Sequence, residues 1–302
     1  MQASFYHYEA LAITDECSVA GVVRAYAAIK ENNLSVKLIV GSLFRFDGLE
    51  VVLLCPNAQA YSELCRIITN SRRRSAKGEY QLSQWDLMSI KHCIFLFKPS
   101  GEKENDEQWL TWLAKYHRSR LYIAYQRHLT AGEHHYQHHC YQLSKQFELT
   151  IVACGGVLMH SSKRLALQHT LSAIKQGSTV EELGLSALPN AERALRPLNK
   201  LVKLYNSQWL TNSLTVARQC RFDLSELRYQ YPDEVLPNNL TASAYLRQLV
   251  ERGIALRFSE GLSTEIREII EKELSLISEQ QYEYFFLTIY DIVQFAKRQG
   301  IL

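Results

Sequence analysis

Over roughly the first 180 residues, short apolar runs alternate with stretches whose apolar positions recur every three or four residues, as strands followed by helices do. Leu11-Ala12-Ile13-Thr14 is a strand-like run that ends at Asp15. Residues 18–31 read as a helix with Val22, Val23, Tyr26 and Ile29 on one face. Residues 37–40 form a strand that Gly41 is expected to stop. Residues 44–54 read as a hairpin turned at Asp47-Gly48, a strong two-residue turn signal. A helix follows over 58–70, with Tyr61, Leu64, Cys65 and Ile68 inward. The run 93–97 is a buried strand, and 104–116 a helix with Trp109, Leu110, Trp112 and Leu113 as its apolar set. Residues 121–124 form a strand, 132–147 a helix and 150–153 a strand. Gly155-Gly156 then breaks the chain before a helix over 165–174.

Strands regularly followed by helices predict an α/β fold, a parallel sheet or barrel with helices outside. After about residue 185 the pattern changes, and helices are expected over 191–204, 208–219, 242–256, 264–279 and 283–298 with no further strand. Residues 231–239 hold two prolines and two asparagines and are the best linker candidate. The expected division is an α/β part over 1–185, a helical connector and linker over 186–239, and a helical part over 240–302.

Composition narrows the classes. With 302 residues, 47% of them apolar, the chain can bury a substantial core. Its 34 basic and 31 acidic residues leave a net +3, too mild to argue nucleic-acid binding by itself. No apolar run approaches the ~18 residues of a membrane span, so no membrane partner is expected. No cationic-then-apolar leader opens the chain, and the seven cysteines lack any CxxC pair. Reduced thiols in a cytoplasmic protein are the expectation.

Three features could carry chemistry. The first is the set of strand ends, where barrels build their sites: Asp15-Glu16, Ser42-Leu43, and 156–160 ending at His160. A hydrolytic metal site needs several convergent His, Asp or Glu ligands, and these positions are poor in them. Asp15 has a plainer role as a cap of the next helix. The second is Glu133-His134-His135-Tyr136-Gln137-His138-His139, where His134/His138 and His135/His139 are i,i+4 pairs. The order is not HExxH, and a solvated helix face accounts for it. The third is Arg72, Arg73, Arg74 and Lys77, four cations within six residues at a predicted helix end. Compensation of the helix dipole and contact with DNA phosphates both remain open. There is no GxSxG, Walker loop or GxGxxG.

Several stretches nevertheless resemble one family in the right order. They include Ala10 to Val23, Leu38-Ile39-Val40-Gly41-Ser42, Arg72 to Tyr80, Pro189-Asn190-Ala191-Glu192-Arg193 with Leu195-Arg196-Pro197, and Arg221-Phe222 through Tyr231-Pro232. Towards the end come Glu273 to Ile277, Tyr282-Glu283, Phe286-Leu287-Thr288 and Asp291 to Ala296. Together they resemble the PHP domain and the start of the palm region of error-prone C-family DNA polymerases, relatives of the polymerase III alpha subunit. The resemblance implies a seven-stranded (β/α) PHP barrel followed by the polymerase core. It also implies a role in damage-induced translesion synthesis, with primer-template DNA, a sliding clamp and accessory mutagenesis proteins as partners. Mg²⁺ would serve polymerisation, and Zn²⁺ or Mn²⁺ an active PHP site. Lys297 and Arg298, with the Arg72–Arg74 and Lys77 loop, would be candidates for DNA contact.

Measured against that family, the chain departs in three ways. Only 1–9 precede the Ala-Ile-Thr-Asp strand, so the first barrel strand, with its His-x-His motif, is expected to be absent. The implied metal positions hold Asp15, Glu16 and His160, but Leu43 stands where the family has an acid. Gly156-Val157-Leu158-Met159-His160 stands where the family has a pattern like Asp-Val-His-Met-His. Beyond Gly300-Ile301-Leu302 the family continues into a phosphate-gripping glycine-rich loop and then the carboxylates that hold two Mg²⁺. The expectation is a polymerase fragment, non-catalytic alone and able to pair with the remaining polymerase fragment, with no cofactor of its own. The alternatives are a metal-dependent PHP phosphoesterase or 3′-5′ exonuclease, and a DNA- or protein-binding scaffold. A barrel without its first strand leaves an unpaired edge, so dimerisation, cover from residues 1–8 or poor solubility is expected.

Overall fold

The computed structural model describes residues 1–227, 236–237 and 240–301. Most of the linker expected over 231–239 lies outside the described residues. The chain divides into two compact units, Met1–Leu227 and Arg228–Leu302.

The first unit is built on one six-stranded sheet, in sequence order, curled as a half-barrel: β1 (Ala10–Ile13), β2 (Lys37–Phe46), β3 (Leu49–Leu54), β4 (Ile94–Phe97), β5 (Leu121–Gln126) and β6 (Ile151–Cys154). The sheet is mixed. β1–β2, β4–β5 and β5–β6 pair in parallel, whereas β3 runs antiparallel to both neighbours. This agrees with the expected α/β fold, a PHP-type barrel short of its first strand.

Gly41 does not stop its strand. It marks where β2 changes partner, from β1 over 37–40 to β3 over 41–46. A Cβ at this position would lie 2.6 Å from the Leu53 carbonyl oxygen, so glycine permits the close approach. The Asp47-Gly48 turn joins β2 to β3 as expected, with both residues at positive φ (46° and 74°).

Alternation along the strands separates two apolar layers. Phe44, Val51, Leu53, Phe95, Phe97, Ile123 and Tyr125 face one side. Against them pack α3 (Ala58–Arg73), α4 (Gln84–Met88), α5 (Lys103–His117) and α6 (Glu133–Phe147), through residues such as Leu64, Leu87, Leu110 and Leu143. Ile39, Leu54, Ile94, Leu96, Ala124 and Val152 face the other side, against Val216 and Cys220. Val216 belongs to α9 (Ser207–Gln219), the helix that follows α8 (Leu198–Leu204). The remaining helices of this unit are α1 (Gln2–Phe5), α2 (Ala20–Glu31) and α7 (Leu165–Gln176).

One correction concerns the flanks. The helix expected over 191–204 begins only at Leu198, after Pro197. The segment before it pairs with the loop beyond β6 instead: Leu158 N–H donates to the Arg193 carbonyl (2.8 Å) and Leu195 N–H to that of Met159 (3.0 Å). Residues 1–8 supply a helical turn, and Ala3, Tyr6 and Tyr8 pack with Leu11 of β1 and Leu195.

The free edge of β6 is covered by α9. Asn212 Nδ2 donates to the Ile151 carbonyl (2.8 Å) and Ser213 Oγ to that of Ala153 (2.7 Å), the two carbonyls that point away from β5. The far end of α9 is tied to the start of the sheet, where Lys37 Nζ donates to the Ala217 carbonyl (2.9 Å) and Arg218 pairs with Glu9 (3.0 Å). One helix thus links the last strand to the first pair.

The second unit consists of α10 (Ala242–Arg257), α11 (Thr264–Glu279) and α12 (Glu283–Arg298). Its core is Leu246, Leu249 and Leu287, joined by Leu274 and Ile277. No helix among the described residues is long and apolar enough to cross a membrane.

Two measurements check this account. Asn212→Ala and Ser213→Ala should each destabilise the chain by about 1 kcal/mol in denaturant titration, because each strands an edge carbonyl. His117 is buried and stacks on Phe95 with centroids 4.1 Å apart. Burial, reinforced by the nearby Arg120 charge, lowers its pKa from 6.5 to about 4. A histidine held neutral in the fold costs stability as pH falls from 6.5 towards 4. His117→Phe should flatten that part of the stability profile.

Candidate functional site

The C-terminal ends of β1, β4, β5 and β6 converge with the β2–β3 turn on one rim of the sheet. Residues just past a parallel strand are where barrels place chemistry. In this chain the rim is occupied by ion pairs. The Glu16 carboxylate accepts from Arg45 Nη1 (2.6 Å) and from the Tyr80 hydroxyl (3.0 Å). Arg45 Nε also reaches Glu50 (3.2 Å), and Glu50 takes Lys98 on its other oxygen (3.1 Å). Burial by itself would raise the Glu50 pKa, but Lys98 and Arg45 outweigh it and hold the carboxyl below its ordinary value of 4.5. Burial, added to by the Glu16 charge, pushes the Tyr80 phenol up to about 12.

Across the rim, Arg127 Nε pairs with Glu133 (3.0 Å), whose other oxygen accepts the N–H groups of His128 and Leu129 (2.7 Å each). His128 Nε2 lies 3.1 Å from the Gly155 carbonyl, and Arg193 Nε donates to that of Gly156 (2.8 Å). The Gly155-Gly156 break is therefore a pair of backbone acceptors that fix two side chains. Gly156 has φ +52°, and a Cβ there would lie 2.4 Å from Gln126 Oε1 and 3.1 Å from His128 Nε2.

The implied metal positions do not fit a metal ion. Asp15 Oδ2 accepts the Gly21 N–H (3.1 Å) at the start of α2, the capping role read from sequence. Both oxygens of Glu16 are engaged, and His160 is exposed. Leu43, Gly156 and Leu158 bring no donor side chain. The donor set is thus short of the convergent ligands that a hydrolytic centre requires.

The cationic loop splits into two kinds of residue. Arg72 is structural: its guanidinium donates to the carbonyls of Glu16, Cys17, Gly78 and Glu79 at 3.1 to 3.3 Å. Arg74 forms a bidentate pair with Asp86 (2.6 and 2.8 Å). Arg73 and Lys77 are exposed, as are Lys297 and Arg298 in the last turn of α12. On α6, His139 Nε2 binds the buried Asp106 (2.7 Å), which also accepts three donors from Ser100 and Gly101. His138 lies against Gln142, and His134 and His135 face solvent.

Sequence reasoning missed Arg45, Glu50, Lys98, His128 and Arg193. Arg45 and Glu50 face each other across the turn in register, so the Asp47-Gly48 signal could have found that pair. The others meet only through the fold.

These roles make distinct predictions. Arg72→Ala should destabilise the chain by about 2–3 kcal/mol, because several carbonyls lose their donor at once, while Arg73→Ala and Lys77→Ala should stay within about 0.5 kcal/mol. Burial opposes ionisation of Asp86, but its hydrogen bonds from Arg74 and Ser83 prevail and hold the carboxyl below 3.8. A carboxyl depressed in the fold stabilises it above the free value and loses that contribution as pH falls. Melting temperature should therefore fall steeply below about pH 4.5, where Glu50 and then Asp86 begin to lose their stabilising charge.

A PHP domain family model matches residues 2–128, and a model described as the bacterial DNA polymerase III alpha NTPase domain matches 244–302. An error-prone DNA polymerase of Vibrio vulnificus is 58% identical over the whole chain. Those of Hahella chejuensis and Pseudomonas paraeruginosa are 41% and 43% identical, over 100% and 98% of the chain. The chain spans 28–30% of the length of these relatives. The chain thus carries a PHP domain and a segment of a bacterial DNA polymerase III alpha domain, and along its whole length it is similar to part of the proteins named error-prone DNA polymerase.

Proposed function

We propose that this segment serves an error-prone DNA polymerase acting in mutagenic synthesis across damaged template, and that its PHP-like part is a scaffold rather than a hydrolytic centre. The observation that carries the scaffold reading is the ion-pair chain Glu16–Arg45–Glu50–Lys98 at the strand ends. It fills with closed charge pairs the rim where a metal site would need free donors. Loss of either inner member would leave a partly buried charge unpaired, so the network supports the rim and ties the β2–β3 hairpin to β4.

The polymerase reading rests on the whole-chain similarity to proteins named error-prone DNA polymerase. In this reading the substrate is primer-template DNA, and Mg²⁺ is the metal of nucleotidyl transfer. The sliding clamp and accessory mutagenesis proteins are its partners, in the cytoplasm. In this reading the exposed cations Arg73, Lys77, Lys297 and Arg298 are candidates for contact with DNA phosphates. In this reading the described residues have a structural role in the polymerase, and nucleotidyl transfer is not assigned to them.

Purified chain should extend no primer with Mg²⁺ and deoxynucleotides. It should also release no product from phosphate monoesters or 3′ DNA ends with Mn²⁺ or Zn²⁺, and should retain less than stoichiometric metal after dialysis. Metal-dependent turnover that Asp15→Asn abolishes would overturn the scaffold reading. Primer extension by the chain alone would overturn its non-catalytic character.

A further inference from the structure

The histidine run on α6 holds two i,i+4 pairs, and the fold leaves one of them free. His139 Nε2 is tied to the buried carboxylate of Asp106 (2.7 Å), and its side chain is only 16% exposed. The pair His135/His139 is therefore committed through its second member. His134 and His138 are both exposed, and among the described residues neither is paired with a carboxylate. The Gln142 amide nitrogen lies 3.1 Å from His138 Nε2, an exposed contact that a bond from that nitrogen to a metal ion replaces.

Helical spacing sets the two rings one above the other. Both lie inside α6, so one turn separates them, and Cβ atoms four residues apart on a helix stand about 5–6 Å from each other. Two imidazoles at that spacing on one face can hold the same metal ion. The turn that carries His134 is fixed in place. Glu133 accepts the N–H groups of His128 and Leu129 (2.7 Å each) and pairs with Arg127 (3.0 Å), while Cys140 and Leu143 anchor the helix in the core. The pair opens into a groove of about 390 Å³, walled otherwise by Gln137, Tyr141 and, at the start of α9, Asn206 and Trp209. That groove gives room for the rest of a coordination shell, which water or a donor group of a small ligand would complete.

We propose that His134 and His138 form a binding site for a late first-row divalent cation such as Zn²⁺, Ni²⁺ or Cu²⁺, with open coordination positions facing the groove between α6 and α9. Imidazole nitrogen favours these ions over Mg²⁺ and Ca²⁺, which take oxygen ligands. With two protein ligands the ion is exchangeable, and dialysis strips it. The site uses none of the strand-end residues and is independent of the scaffold reading.

The test is calorimetric titration of the untagged, chelator-stripped chain with Zn²⁺, repeated with Mg²⁺. Saturable binding of Zn²⁺ and none of Mg²⁺ is expected. His134→Ala and His138→Ala should each weaken Zn²⁺ binding roughly tenfold or more, because a single imidazole has lost its chelating partner. His135→Ala should bind like the parent chain, since its i,i+4 partner is held by Asp106. Both proposed ligands are exposed, and a metal-free melting curve like the parent's confirms that each variant is folded. The proposal is overturned if Zn²⁺ does not bind, if Mg²⁺ binds as well as Zn²⁺, or if His135→Ala weakens binding as much as the other two. It is also overturned if His134→Ala and His138→Ala bind like the parent, which would make the bound ion adventitious. Zn²⁺ binding that Asp15→Asn abolishes and the histidine variants retain would put the ion at the strand ends, and would overturn the scaffold reading as well as this one.

Discussion

An open sheet must dispose of its last row of unpaired backbone groups, and here α9 does so for β6. A strand edge left bare is a template for pairing with another chain. Asn212 and Ser213 stand on adjacent positions of α9 and meet carbonyls two residues apart on β6. The strand repeat of two sends those carbonyls to the same side. The same helix then reaches Lys37 and Glu9 at the opposite end of the sheet. The curvature of the half-barrel is therefore fixed by side chains of a helix distant in sequence, with Val216 and Cys220 filling the layer beneath.

That closure places the strand ends, and the strand ends set the chemistry. Where the metal positions implied by the family would lie, Asp15 is spent on a helix terminus and Glu16 on Arg45 and Tyr80. Paired side chains keep the rim charged without supplying the chemistry of a metal ion. A metal ion activates water and stabilises developing negative charge. A closed chain of carboxylates and cations does neither. The same sheet also sets Cys55 opposite Cys93 by continuing the β3–β4 register, with both thiols buried and Cys55 pushed well above the usual thiol range by its neighbour and by burial. Thiols so placed are inert packing groups, in keeping with a reduced protein.

Hydrophobic periodicity determined most of the elements. The strands and helices read from the alternation of apolar positions lie within a few residues of those in the structure, because burial on one face of each element imposes that periodicity. The Asp47-Gly48 turn was equally legible, since few residue pairs tolerate its backbone. The similarity to error-prone DNA polymerases was legible too, because several ordered motifs together are far more specific than any one. Two local readings failed for one reason. Gly41 breaks a strand by propensity but here admits a neighbouring carbonyl, and 191–197 has helical spacing but pairs with the loop after β6. In both cases a distant backbone decided.

The candidate site divides along the same line. That Leu43, Gly156 and Leu158 cannot ligate a metal follows from residue chemistry alone, and the sequence determined it. Which cations are free did not follow, because Arg72, Arg73 and Arg74 are adjacent in the chain and identical in type. Only the tertiary structure assigns Arg72 to carbonyls of two other loops and Arg74 to Asp86, leaving Arg73 to solvent. His128 and Arg193 are likewise far apart in sequence, and only the tertiary structure sets them at the adjacent carbonyls of Gly155 and Gly156. Residue type sets what each group is able to do; the partners that three-dimensional closure brings decide whether it remains free to do it.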